Sequence, residues 1–214
     1  MGGIFTILKQ VLFAFLGSKN KKEVLETKVD IEKKDLEPEV PVTNVVPIVP
    51  DLVIEAERDI TWKKSPNYRL KRGRKITAII LHHTGTFKGK NDIAWMCNPT
   101  AKVSAHYVID LDGSITQLVK DEDVAWHAGK SNLDGEKYVN NFSIGIEIVG
   151  DTTKKPFTED QWEAMIWLVG KLADKYNIDP SRIVDHRYVA PGRKVDLDPK
   201  NFDWTRFYEE LGAI

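Results

Sequence analysis

The 214-residue chain has a single cysteine, Cys97. One thiol excludes an internal disulfide framework and any metal site built from several cysteines. Cys97 falls outside every motif below and reads as a small buried apolar residue. An excess of one charge is also missing. There are 31 Lys and Arg against 32 Asp and Glu, a net charge of −1, so no global field draws the chain to nucleic acid. Long apolar runs are absent too. The best candidate, residues 4–16, falls short of the ~20 residues a spanning helix needs. It also lacks the basic start and small-residue cleavage site of a signal peptide. Internal repeats are absent. What remains is ordinary for a globular protein, with 42% hydrophobic and 29% charged residues, enough for one domain with a core plus extra segments.

Three stretches differ in character. Residues 1–18 carry Ile4, Phe5, Ile7, Leu8, Val11, Leu12, Phe15 and Leu16 as an apolar helical stripe. Lys19, Lys21 and Lys22 follow. This amphipathic helix suits an anionic membrane surface, a partner protein, or the protein's own domain. Residues 19–60 read as a charged, then Pro- and Val-rich linker, punctuated by Pro38, Pro41, Pro47 and Pro50. Residues 61–214 read as the compact domain. Its first residues include a basic cluster, Arg69, Lys71, Arg72, Arg74 and Lys75, expected as a solvated loop or a contact for an anionic polymer.

Within that domain the periodicity predicts a mixed α/β fold, a central β-sheet flanked by helices. The continuous apolar run at 76–81 reads as a buried strand. Residues 103–110 and 114–119 read as a hairpin turning at Asp112 and Gly113. Residues 143–149 read as an alternating strand, and 182–184 as a short one. Thr158 with Gln161 forms a capping box for a helix over 159–176, and 202–211 reads as a terminal helix.

The residues that carry chemistry cluster at 184–196, where His186, Lys194 and Asp196 share one short segment. His and Asp are metal-ligand types, and a hydrolytic zinc site needs three ligands and one open position. Asp185 and Asp198 are near enough in sequence to compete with Asp196. His82 ends the first buried strand, where the sheet would hold a ligand rigidly. His83, next in the strand, points to the opposite face. Glu147 sits in a mostly apolar strand, and burial there raises its pKa toward that of a general base.

Six ordered segments carry a resemblance. They are Ser-Pro-Asn-Tyr at 65–68, Ile-Ile-Leu-His-His-Thr-Gly at 79–85, Val-Ser-Ala-His-Tyr-Val-Ile at 103–109, Ala-Trp-His-Ala-Gly at 125–129, Asn-Phe-Ser-Ile-Gly-Ile-Glu-Ile-Val-Gly at 141–150, and the segment from His186 to Asp196. Over about two-thirds of its length the chain resembles the zinc-dependent N-acetylmuramoyl-L-alanine amidases of the type 2 amidase and peptidoglycan-recognition-protein superfamily. The resemblance implies Zn2+ held by His82, His186 and Asp196. It implies Glu147 as the group that activates water and Lys194 as the cation that stabilises the transition state. His127 and His83 are expected as substrate contacts, and His106 as structural. Where some relatives carry a Tyr before the His of the second strand, this chain has Ala105, which favours the glutamate-based branch. The implied substrate is peptidoglycan or a muropeptide, cut between N-acetylmuramic acid and L-alanine. A non-catalytic peptidoglycan-binding module is the alternative. The implied location is the bacterial envelope or a phage particle, as in autolysins and endolysins.

Overall fold

A computed structural model describes residues 57–212. The amphipathic stretch 4–16 and all but the end of the linker lie outside those residues.

One sheet organises the domain. Its strands are β1 (Ile60–Trp62), β3 (Ala78–His83), β4 (Tyr107–Ile109), β5 (Ile115–Gln117), β9 (Ser143–Ile148) and β10 (Ile183–Asp185). Their spatial order is β1-β5-β4-β9-β3-β10, with β4 and β5 antiparallel and the other pairs parallel. Two-stranded ribbons pair β2 (Tyr68–Arg69) with β6 (Val124–Ala125), and β7 (Asn132–Leu133) with β8 (Glu136–Lys137). The helices are α1 (Lys90–Met96), α2 (Glu159–Tyr176), α3 (His186–Val189) and α4 (Trp204–Gly212). This is the mixed sheet with flanking helices that the sequence predicts.

The two faces of the sheet are built differently. On one, Ile79, Leu81, Ile144, Ile146, Ile148 and Ile109 pack with Trp162, Met165, Val169 and Leu172 of α2, and Phe207 of α4 joins the same core. Each fully buried side chain of this size contributes roughly 1.5–3 kcal/mol. Helix α2 has the predicted span. The Thr158 hydroxyl accepts from Gln161 N at 3.1 Å and the Gln161 side chain accepts from Thr158 N at 3.2 Å, a capping box worth about 1 kcal/mol. On the other face, Ala78, Ile80 and Val184 meet Ala128, Leu133, Val139 and Phe142 in a smaller core. The functional residues stand beyond it, at the strand ends.

Several expectations need correction. The strand at 103–110 shrinks to Tyr107–Ile109, because Ser104 is spent on cross-links: its N–H donates to Trp126 O and its hydroxyl accepts from Trp126 N. The compact domain begins before residue 61, since Ile60 already pairs with Ile115 in parallel register. Strand β9, read as alternating, lies between β3 and β4 with both faces covered. The terminal helix starts at Trp204 because the Asp203 carboxylate accepts from Thr205 N and Arg206 N. Cys97 is only half-buried, at the end of α1. Arg72 turns inward from the basic cluster and donates to the carbonyls of Asp121, Asp123 and Ser143.

Candidate active site

Three adjacent parallel strands deliver the site. In register, His82 of β3 stands beside Glu147 of β9, and Leu81 beside Asp185 of β10. His186 therefore follows directly at the end of β10, next to His82. Ends of parallel strands are where open α/β sheets place ligands, and here the sheet aligns His186, His82 and Glu147 side by side.

The loop after α3 returns over this edge and brings Asp196. His82 Nδ1 and His186 Nδ1 are 2.9 Å apart. Asp196 places Oδ1 3.8 Å from the first nitrogen and Oδ2 3.8 Å from the second. All three residues are buried, and their ligand atoms fall within 4.8 Å of one another. The competing aspartates are occupied elsewhere. The Asp185 side chain caps α3 by accepting from Tyr188 N, and the Asp198 side chain accepts from Lys200 N. Asp196 is held in place by its neighbour: Leu197 adopts φ 51° and is fully buried in the large core. A left-handed leucine persists only where its surroundings over-determine it.

The electrostatics suit a cation. Burial pushes the His82 imidazole well below its ordinary pKa, helped by His186. Burial likewise lowers His186 to about 4, against the opposing pull of Asp196. Both rings are neutral near pH 7 and able to act as ligands. His186 Nε2 donates to Ala128 O at 3.1 Å, which leaves Nδ1 as the lone pair facing the site. Two neutral imidazoles and one carboxylate, fixed on rigid elements, fit a divalent metal ion.

Glu147 is partly open to the cleft, yet its Oε2 is sealed and has no hydrogen-bond partner. Burial, reinforced by the charge of Asp196, raises its pKa to about 8. A buried carboxyl oxygen without a protein partner leaves its hydrogen bond to a water, an ion or a substrate. The cleft beside it measures about 220 Å³ and is lined by Glu147, His83, Trp95 and Lys194 among others. A second limb of about 200 Å³ continues past Val103 and Trp126 toward Lys102 and Arg193.

Residues 72–200 match the family model described as N-acetylmuramoyl-L-alanine amidase. The chain belongs to this amidase family. It is 42% identical over 111 residues to the 1,6-anhydro-N-acetylmuramyl-L-alanine amidase AmpD of Haemophilus influenzae, covering 51% of this chain and 59% of that protein. It is 31% identical over 155 residues to the N-acetylmuramoyl-L-alanine amidase AmiD of Escherichia coli, covering 65% and 55%. The matched stretch thus spans a little over half the length of these curated relatives. A crystal structure of a selenomethionine AmpD derivative superposes with a TM-score of 0.62 at 30% identity, over 71% of this chain and 93% of that one. The AmiD structure with anhydro-N-acetylmuramic acid-L-Ala-D-gamma-Glu-L-Lys gives 0.56 at 28%, over 66% and 60%.

The amidase domain treats the other expected residues less uniformly. His83 lies off the ligand cluster, as strand alternation predicts. Its Nδ1 accepts from Thr152 N at 3.0 Å, and the ring still lines the cleft. Lys194 lines both limbs. His106 is buried and structural, its Nδ1 accepting from Gly145 N at 2.9 Å. His127 lines both limbs of the cleft and is also held by protein partners. Its Nδ1 lies 3.1 Å from His82 Nε2 and its Nε2 3.2 Å from Ser143 Oγ. Both nitrogens are thus engaged by protein while the ring borders the cleft. Sequence reasoning passed over Ser143 and Gly145. Their one signal is the spacing Ser-x-Gly-x-Glu, which puts all three on one face of β9.

Proposed function

We propose that this chain hydrolyses the amide bond between N-acetylmuramic acid and L-alanine, with zinc as its metal. The reading rests on one observation: two neutral buried imidazoles, one carboxylate and a separate unpartnered carboxyl lie together beside a cleft. Two nitrogens and one oxygen with an open side form a donor set of catalytic zinc. When bound, the ion supplies a Lewis acid that polarises the amide carbonyl and acidifies a water.

The chain's own residues do the rest. Glu147 accepts a proton as the water oxygen bonds to the carbonyl carbon. With a dication held by His82, His186 and Asp196, the raised pKa of Glu147 would fall and its carboxylate form would be present at neutral pH. Lys194 holds a fixed positive charge toward the oxyanion. As the C–N bond breaks, Glu147 passes its proton to the departing amine of L-alanine. The products are a free lactyl carboxylate and a stem peptide with a free amino terminus.

The cleft supports the same substrate. Val103 and Trp126 border both limbs. Lys102 and Lys194 offer cations to the free carboxylate of a γ-linked glutamate, and His83 offers a ring N–H from the wall of the first limb. The apolar stripe at 4–16, followed by Lys19, Lys21 and Lys22, supports attachment of this activity to an anionic membrane surface or a partner protein, and hence a place at the envelope or on a phage particle.

Mass spectrometry of sacculi and of soluble muropeptides, digested with zinc and with a chelator, tests the reading. Stem peptides with free N-terminal alanine appear with zinc and vanish on chelation. Intact muramoyl–alanine bonds in both substrates at saturating zinc would remove it.

A further inference from the structure

Along β9, Ser143, Gly145 and Glu147 share the face that carries the site, and His127 fills the trough above the first two. A Cβ at position 145 would lie 2.3 Å from His127 Cγ, so only glycine admits the ring. Seated there, His127 joins a chain of hydrogen bonds: His82 Nε2 to His127 Nδ1 at 3.1 Å, His127 Nε2 to Ser143 Oγ at 3.2 Å, and Ser143 Oγ to Val139 O at 2.7 Å. His82, His127, Ser143 and Val139 are all buried.

The direction of this chain is fixed at its far end. A carbonyl oxygen accepts and never donates, so the one hydroxyl hydrogen of Ser143 is committed to Val139 O. Ser143 Oγ must then accept from His127, which places the His127 proton on Nε2 and a lone pair on Nδ1. His82 must in turn donate from Nε2, which leaves its Nδ1 bare. That nitrogen is the one 2.9 Å from His186 Nδ1 and 3.8 Å from Asp196.

We infer that Ser143 and His127 are positioning residues that hold His82 in its metal-ligating tautomer. The two ligand histidines are thus oriented by two backbone carbonyls. His186 is set directly by Ala128 O, and His82 at two removes by Val139 O. Ligand histidines commonly take a carboxylate, carbonyl or water as partner. The relay behind His82 carries no charge, so it leaves the net charge of the centre to Asp196 alone. The inference rests on the metal site proposed above.

The test uses the full chain. Zinc affinity is measured by competition with a chromophoric chelator for the wild type, Ser143→Ala and Ser143→Thr. Long-range 15N NMR of the wild type assigns the His127 and His82 tautomers with and without zinc. Ser143→Ala is expected to bind zinc about 10- to 100-fold more weakly, while Ser143→Thr, which keeps the hydroxyl, stays within about threefold. In the wild type both rings carry the proton on Nε2 in both states. Unchanged affinity in Ser143→Ala, or a His127 proton on Nδ1, overturns the inference. If Ser143→Ala does not fold, the wild-type tautomers decide alone. If the wild type binds no zinc, the metal reading fails, and the metal-free tautomers still decide the relay.

Discussion

The two faces of strand β9 invite comparison, because alternate residues of one short segment serve opposite ends. Ile144, Ile146 and Ile148 point into the large core under α2. Ser143, Gly145 and Glu147 point toward the site. The first set is uniform, bulky and apolar, and excludes water by filling space. The second descends to no side chain at all and then presents a carboxyl without a partner. Such a strand teaches that the site is an interruption of packing. Cohesion comes from the isoleucine side, so the opposite side is free to keep a trough for His127 and a sealed oxygen on Glu147.

The largest expected effect that probes this division is on turnover. Glu147→Ala should lose at least 10²- to 10⁴-fold in kcat while still binding one zinc per chain by elemental analysis. A variant that keeps full activity would remove Glu147 as the base. Next comes the apolar side. Ile146→Ala should cost about 2–5 kcal/mol in urea unfolding, whereas any loss of zinc affinity should be secondary to that instability. Gly145→Ala should cost about 1–3 kcal/mol through overpacking and weaken zinc binding beyond what that instability explains, because the added methyl displaces His127. If both substitutions lower stability and metal affinity in equal proportion, the two faces are not separable.

A pH experiment sharpens the contrast further. In metal-free protein Glu147 has its pKa raised by burial from 4.5 to about 8. The folded state holds that proton more tightly than the unfolded state. Its contribution is therefore complete below pH 4.5 and drains away as pH rises toward 8. The buried histidines have the opposite sign. Their lowered pKa values favour the fold above their ordinary 6.5 and weaken it only as pH falls below that. Between pH 6.5 and 8 the slope belongs chiefly to Glu147. Unfolding measured in chelator across that window should show declining stability, and Glu147→Gln should flatten the decline. The smallest effect sits on the far side of the core, where Thr158→Ala should cost about 1 kcal/mol through the lost capping box and leave kcat unchanged.

Much of this was legible before any coordinates. Helix α2 declared both its span and its cap, since Thr158, Gln161 and the apolar stripe are local signals. His82, Glu147, His186, Lys194 and Asp196 were legible because their motifs occur in order. The register that sets His82 beside Glu147 was not, because it joins residues 65 positions apart. Strand β1 straddles the boundary read between linker and domain, and the two-residue strands are too short for any periodicity. The contacts of His127 were hidden for a similar reason. Its seat is Gly145 and its anchor is Ser143, both on a strand that its own segment gives no hint of meeting. Choosing among Asp185, Asp196 and Asp198 likewise needed the capping bond of Asp185 to be seen.

Leu197 carries a consequence of its own. The candidate ligand Asp196 and a fully buried leucine are consecutive, and the leucine holds a left-handed backbone to reach the core. Asp196 cannot swing away from the histidines without drawing Leu197 out of the apolar interior. Through Leu197 the 191–201 loop is tied to the far side of the sheet, so the same apolar interior that fills space there also anchors the carboxylate at the site.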